Sequence, residues 1–185
     1  GLVNIGDGAF SGCGKLADIT IPNSVVKIGF EAFKGCKSIT SITIPNSVNT
    51  IEANAFEGCE SITSIKIPKG VKKIGEGTFS NCGKLANVTI PNSLTTIESQ
   101  CFWDCRSLKS IIIPNSVKSI ENSVFSGCLS LTEINIPNSV KSIGQSAFSH
   151  CSHLNSIKLP NFIKVIRENA FNNCFALKKI DLPYG

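Results

Sequence analysis

Methionine is absent from this 185-residue chain, and tryptophan and tyrosine occur once each. Histidine occurs only at His150 and His153, in the stretch "SHCSHL" around Cys151. So few imidazoles argue against a Ser-His-Asp or Cys-His catalytic set, which needs a base placed to activate its nucleophile. No apolar run is long enough to span a membrane, and no signal peptide is recognisable. The net charge of +5 is modest, and acidic residues are interleaved with the basic ones. Nucleic acid usually wants a dense basic stripe with stacking aromatics. Neither a nucleic-acid partner nor membrane insertion of this segment is expected.

What the chain does have is a period. Proline recurs at Pro22, Pro45, Pro68, Pro91, Pro114, Pro137, Pro160 and Pro183, always 23 residues apart. Phenylalanine keeps the same interval at Phe10, Phe33, Phe56, Phe79, Phe102, Phe125, Phe148 and Phe171. So does cysteine, at Cys13, Cys36, Cys59, Cys82, Cys105, Cys128, Cys151 and Cys174. Three residue types locked to one interval over residues 1–185 leave no room for a second domain. A natural solenoid carries polar capping units at its ends, and neither terminus reads as one. The expectation is therefore a single repeat domain that forms part of a longer array.

One repeat shows how the array is built. In "ITSITIPNSVNTIE", from Ile39 to Glu52, Ile42 and Ile44 alternate with Ser41 and Thr43, the pattern of a half-buried strand. Pro45 ends the ladder because it has no N–H to donate. The "IPNS" stretch suits a type I turn with proline at its second position and asparagine at its third. Val48 and Ile51 read as a second, shorter extended piece, and "EANAFEGC" as one helical or 3₁₀ turn burying Ala55, Phe56 and Cys59. No single repeat can bury these side chains alone. Stacked coils can, because each apolar residue then lies on its counterpart roughly 4.8 Å away. Eight coils make a rod or shallow arc on the order of 40 Å long.

The pattern L/I-x-x-I-x-I-P-x-x-V-x-x-I-x-x-x-A-F-x-x-C resembles the BspA-like leucine-rich repeats. It is shown well by "PNSVKSIGQSAFSHC" from Pro137 to Cys151, led in by Leu131, Ile134 and Ile136. Departures are few: Lys69-Gly70 and Phe162 alter two turns, and Cys101 takes an alanine-type position. The resemblance implies a β-rich solenoid, a right-handed coil of eight 23-residue repeats with two short strands and one helical or 3₁₀ turn each. Proteins of this family occur in mucosal bacteria and in parasitic protists such as trichomonads and amoebae. Many are surface proteins implicated in attachment to host cells, matrix proteins or other microbes. The resemblance thus implies a cell-surface or secreted location.

The nine cysteines invite a disulfide or zinc reading. Zinc sites show short paired spacings, whereas the only close pair here is Cys101 and Cys105 in "CFWDC". Equivalent residues of stacked coils project in parallel, so their Cβ atoms stay near 4.8 Å apart, beyond the roughly 3.8 Å a disulfide prefers. The expectation is a ladder of free buried thiols, with no metal and no cofactor. The histidines occupy variable, exposed positions beside that ladder. Glu52, Glu98 and Glu121 share one column, where similar surroundings give no acid and base of different strength. Lys118, Lys141 and Lys164 fall one coil apart, with Lys72 further along. They suit either a solubilising edge or an anionic partner.

The outward residues of the first strand form the preferred binding face. One column runs Asp18, Ser41, Ser64, Asn87, Ser110, Glu133, Ser156 and Lys179. Its neighbour runs Thr20, Thr43, Lys66, Thr89, Ile112, Asn135, Lys158 and Asp181. Solenoids bind partners on such extended faces, although small hydroxyls supply few of the Trp, Tyr and Arg anchors that dominate interfaces. Trp103 sits beside the Phe-Cys turn and belongs to another face. Asn87-Val88-Thr89 is a formal glycosylation sequon placed poorly on a strand. The expected function is non-enzymatic: adhesion to a host-cell or extracellular-matrix protein, or to another cell surface. The alternative is a spacer with no ligand of its own.

Overall fold

The computed structural model describes residues 1–183. Among the described residues, twelve short strands fall in two columns, and their pairings are parallel. The column after the proline turn holds β1 (Asn4–Ile5), β2 (Lys27–Ile28), β3 (Thr50–Ile51), β5 (Lys73–Ile74), β7 (Thr96–Ile97), β8 (Ser119–Ile120), β10 (Ser142–Ile143) and β12 (Val165–Ile166). The column before it holds β4 (Ser64–Lys66), β6 (Asn87–Thr89), β9 (Glu133–Asn135) and β11 (Ser156–Lys158). Each residue pairs with the one 23 positions away, as in Asn4↔Lys27 and Ile157↔Ile134. The expected β-solenoid is the fold.

The core is one continuous set of columns, with each side chain lying on its own repeat equivalent. Phe33, Phe56, Phe79, Phe102, Phe125 and Phe148 are fully buried. Their rings, with Phe10 and Phe171 at the two ends, stack at 5.2–5.7 Å between centroids. Interplanar angles are 4–16°, an offset arrangement that aromatic quadrupoles favour over a face-to-face sandwich. Isoleucines of both strand columns and a valine or leucine between them close the rest of the interior. Phe10 and Phe171 are covered on one side only and stay partly exposed.

Two local expectations change. The turn after each first strand begins at the proline, not one residue before it. Val48 N–H donates to the Pro45 carbonyl at 3.0 Å, and Val25, Val71, Leu94, Val117, Val140 and Ile163 repeat the bond on their own prolines. Closing the turn on this residue carries its side chain straight into the core, where Val48 is fully buried.

The Phe segment is a chain of linked turns rather than a helical turn, and no helix occurs among the described residues. Alternate amides divide their bonds between the home coil and the next one. Lys34 N–H donates to Glu31 and Cys36 N–H to Phe33 within the coil. Glu31, Phe33 and Gly35 donate instead to Ala53, Ala55 and Glu57 of the following coil, at 3.1, 2.8 and 2.7 Å. The left-handed conformations of Glu31 (φ 52°) and Gly35 (φ 70°) turn those amides along the stacking axis. A regular helix would keep every amide for itself, so the ladder between coils displaces it.

Candidate binding face

The first-strand residues singled out in the sequence lie on one exposed surface. Ser64, Lys66, Asn87, Thr89, Glu133, Asn135, Ser156 and Lys158 project from β4, β6, β9 and β11 and are all exposed. Between them in sequence, Ile65, Ile134 and Ile157 turn inward, as the two-residue period of a strand requires. Ser41, Thr43, Ser110 and Ile112 are also exposed, but their segments stand outside the hydrogen-bonded ladder. The sheet is therefore in two pieces, β4–β6 and β9–β11, with the Ser110–Ile112 coil between them.

That coil gives the face its one apolar prominence. Ile112 is 86% exposed, the highest value among the exposed large hydrophobic side chains. Two shallow clefts meet at it. One of about 490 Å³ is lined by Ile112, Asn115, Asn135, Asn138, Lys158 and their chain neighbours. The other, of about 450 Å³, is lined by Ser110, Ile112, Glu133, Asn135, Ser156 and Lys158. A third, of about 390 Å³, lies on the same face between Asp18, Thr20, Ser41 and Thr43. These surfaces can offer hydroxyl, amide and ammonium hydrogen bonds around a single aliphatic anchor.

The thiol column is interior structure. Cys36, Cys59, Cys82, Cys105, Cys128 and Cys151 are buried and unpaired, Cys174 is partly covered and Cys13 is exposed. Each thiol of this column from Cys36 to Cys174 (the extra Cys101 lies outside it) donates to a phenylalanine carbonyl 26 residues earlier, as Cys59 does to Phe33 at 3.2 Å and Cys151 to Phe125 at 3.1 Å. The same carbonyl takes the amide of its own coil's cysteine: Phe33 accepts from Cys36 N–H at 3.1 Å. Both lone pairs are thus used, and coil is tied to coil inside the apolar core. Burial pushes the Cys59 thiol up to about 12, against an ordinary 9.0, and holds Cys82, Cys105 and Cys128 well above 9.0 too. A thiol held protonated is a poor nucleophile and a poor metal ligand. Among the described residues, no three His, Cys, Asp or Glu side chains converge as a metal site would require.

The remaining candidates sit apart. His153 Nδ1 lies 2.7 Å from the Leu129 carbonyl, and both histidines are exposed. Glu52 and Glu98 pair with Lys27 at 3.1 Å and Lys73 at 3.5 Å on the preceding coil. Trp103 is exposed on the Phe-turn side. Asn87 and Thr89 of the sequon are both in β6. The sequence reading missed the left-handed positions that shape the Phe turn. Their signal was there, in the Gly, Asn and Asp that recur at Gly35, Gly58, Asn81, Asp104, Gly127 and Asn173.

The stacked parallel strands, the 23-residue coil and the interior Phe and Cys columns define a leucine-rich repeat solenoid, a scaffold whose outward columns vary freely. The family profile for BspA-type leucine-rich repeat regions matches six copies over residues 3–132 and 118–185. The chain belongs to the BspA-type leucine-rich repeat family. It is similar to the solved leucine-rich repeat protein of Bacteroides ovatus, with 30% identity over 99% of this chain and a TM-score of 0.79. It spans 65% of that protein's length. The T. pallidum leucine-rich repeat protein is 35% identical, over 83% of this chain and 72% of its own, with a TM-score of 0.77. A leucine-rich cell surface protein of Faecalibacterium prausnitzii is 30% identical over all of this chain and 65% of its own, with a TM-score of 0.57. Among curated proteins there is no match. No helix of the described residues is long and apolar enough to cross a membrane.

Proposed function

We propose that this chain is a non-enzymatic protein-binding module of a cell-surface adhesin, and that it binds through its first-strand face. The observation that carries the reading is the Ile112 prominence. A nearly fully exposed isoleucine stands among clefts on a face that is otherwise small and polar. An aliphatic side chain standing between clefts gives a partner one anchor to enclose, with polar groups around it. The similarity to a protein described as a leucine-rich cell surface protein supports a surface location. The partner is a host-cell or extracellular-matrix protein, or another cell's surface. Affinity at one site is weak, because hydroxyls bury little apolar area. Attachment then relies on many copies or a longer array to multiply weak contacts.

The test is capture of host cells and purified matrix proteins by the chain displayed multivalently on beads. Ser64→Lys, Thr89→Glu, Ser110→Lys and Ile112→Glu, combined, are expected to abolish capture while leaving the melting transition in place. Unchanged capture by that folded variant would overturn the choice of face. If the wild-type display captures nothing, the adhesion reading falls and the spacer reading replaces it.

A further inference from the structure

We propose a second binding surface, which meets the first-strand face at Asn115 and Asn138: a row of lysines that takes a linear acidic glycan along the stacking axis. Lys118, Lys141 and Lys164 are all exposed. Their backbones are locked in register, with Lys118 N–H on the Thr95 carbonyl at 2.8 Å, Lys141 on Lys118 at 3.0 Å and Lys164 on Lys141 at 2.9 Å. The three side chains therefore leave the backbone at the coil interval, roughly 4.8 Å. Lys72 occupies the same column two coils before Lys118, beyond Thr95.

The contrast with the other half of the molecule makes the row unusual. There, four of the nine lysines up to residue 92 are answered by glutamates on the next coil: Lys27 by Glu52, Lys34 by Glu57, Lys37 by Glu60 and Lys73 by Glu98, at 3.1, 3.1, 2.9 and 3.5 Å. Among the described residues of that half, no three unanswered lysines follow one another down a column. The three lysines of the row have no such answer. Among the described residues no carboxylate lies within 4.0 Å of their ammonium groups, and Glu121, three residues after Lys118, pairs with none of them. Like charges held side by side repel and gather counter-ions, and a polyanion that replaces those ions gains their release.

The surroundings narrow the chemistry. Lys141 Nζ is 4.9 Å from the centre of the exposed Phe162 ring and 3.3 Å from the Asn138 carbonyl. Lys141 takes one face of that ring, and a lone aromatic is not the succession of stacking platforms on which single-stranded nucleic acid is held. A polymer with one acidic group on each sugar presents charge at a roughly matching interval, and its hydroxyls suit the flanking asparagines Asn115, Asn138 and Asn161. The acid is either a sulfate or a carboxylate, and the ammonium row accepts both.

The experiment measures binding of the chain to heparin, polygalacturonate, neutral dextran and oligo-dT at several salt concentrations. Heparin or polygalacturonate is expected to bind: binding of polygalacturonate shows that a carboxylate suffices, and binding of heparin alone that sulfate is needed; dextran is expected not to bind. Lys118→Gln, Lys141→Gln and Lys164→Gln together are expected to lower affinity at least about tenfold. They should also flatten the slope of log affinity against log salt by about two. The matched triple Lys15→Gln, Lys84→Gln and Lys109→Gln removes the same charge from scattered exposed positions, and its loss should stay within about threefold. Arginine at all three row positions should keep binding, which separates lost charge from lost folding. Equal losses in both glutamine triples, no binding of either acidic glycan, or tighter binding of oligo-dT would each overturn the proposal. None of these outcomes bears on capture through Ile112.

Discussion

Replacing Phe125 by alanine probes the column that holds the coils together. The ring is fully buried, 5.7 Å from Phe102 and 5.4 Å from Phe148. Loss of the ring and the cavity left behind cost about 3–5 kcal/mol in a close-packed interior. Two stacked contacts vanish as well, each worth about 0.5–1.5 kcal/mol beyond the buried area, so the upper end, about 5 kcal/mol, is expected. The turn backbone does not collapse to refill the space, because Phe125 N–H still donates to the Ala147 carbonyl at 2.8 Å. Phe10→Ala loses one stack from a partly exposed site and should cost about half as much. Trp103→Ala, on an exposed side chain, should cost less than about 1 kcal/mol. Urea melts read all three, and the m-value reports whether the array still unfolds as one unit. A fall in m for Phe125→Ala means that the stack has split at that coil, as nearest-neighbour cooperativity allows. Equal losses for Phe125→Ala and Trp103→Ala would refute the assignment of faces.

The thiols supply the next expectation: without reductant, a thiol reagent finds Cys13 at once, Cys174 slowly and the buried ones hardly at all, but nine in denaturant. Thiols missing after denaturation would show that some are oxidised or ligated. The raised thiols also make the fold sensitive to alkali. Between 9.0 and about 12 the folded chain keeps the Cys59 proton that the unfolded chain releases, so stability falls as pH rises through that window. Each such thiol contributes about 1.4 kcal/mol per pH unit, and Cys59→Ala should make the fall shallower by that amount; an unchanged slope refutes it. Ser123 holds a left-handed φ of 55° where glycine is at ease. Ser123→Gly is expected to raise stability by up to about 1 kcal/mol and Ser123→Val to lower it by at least as much; calorimetry that reverses the order would exclude backbone strain there.

The period, the coil, the inward columns and the outward columns were all legible in the sequence. The reason is physical: in a parallel stack each residue's main neighbour is its own equivalent 23 positions away, as in Ile5↔Ile28 and Ile51↔Ile74. Spacing alone therefore places Phe125 between Phe102 and Phe148, and Ile112 outward beside Asn135. What spacing could not decide depends on how one coil's polar groups meet the next. "EANAFEGC" has the composition of a helical turn, yet its alternate amides go to the neighbouring coil and Asn54 takes a left-handed φ of 55°. The thiol bonds reach back 26 residues, and ion pairs span 25 at Lys27–Glu52 but 23 at Lys34–Glu57. Those offsets are set by side-chain reach across a formed interface. For the same reason, only the assembled stack showed that Lys118, Lys141 and Lys164 stand unanswered by any carboxylate among the described residues.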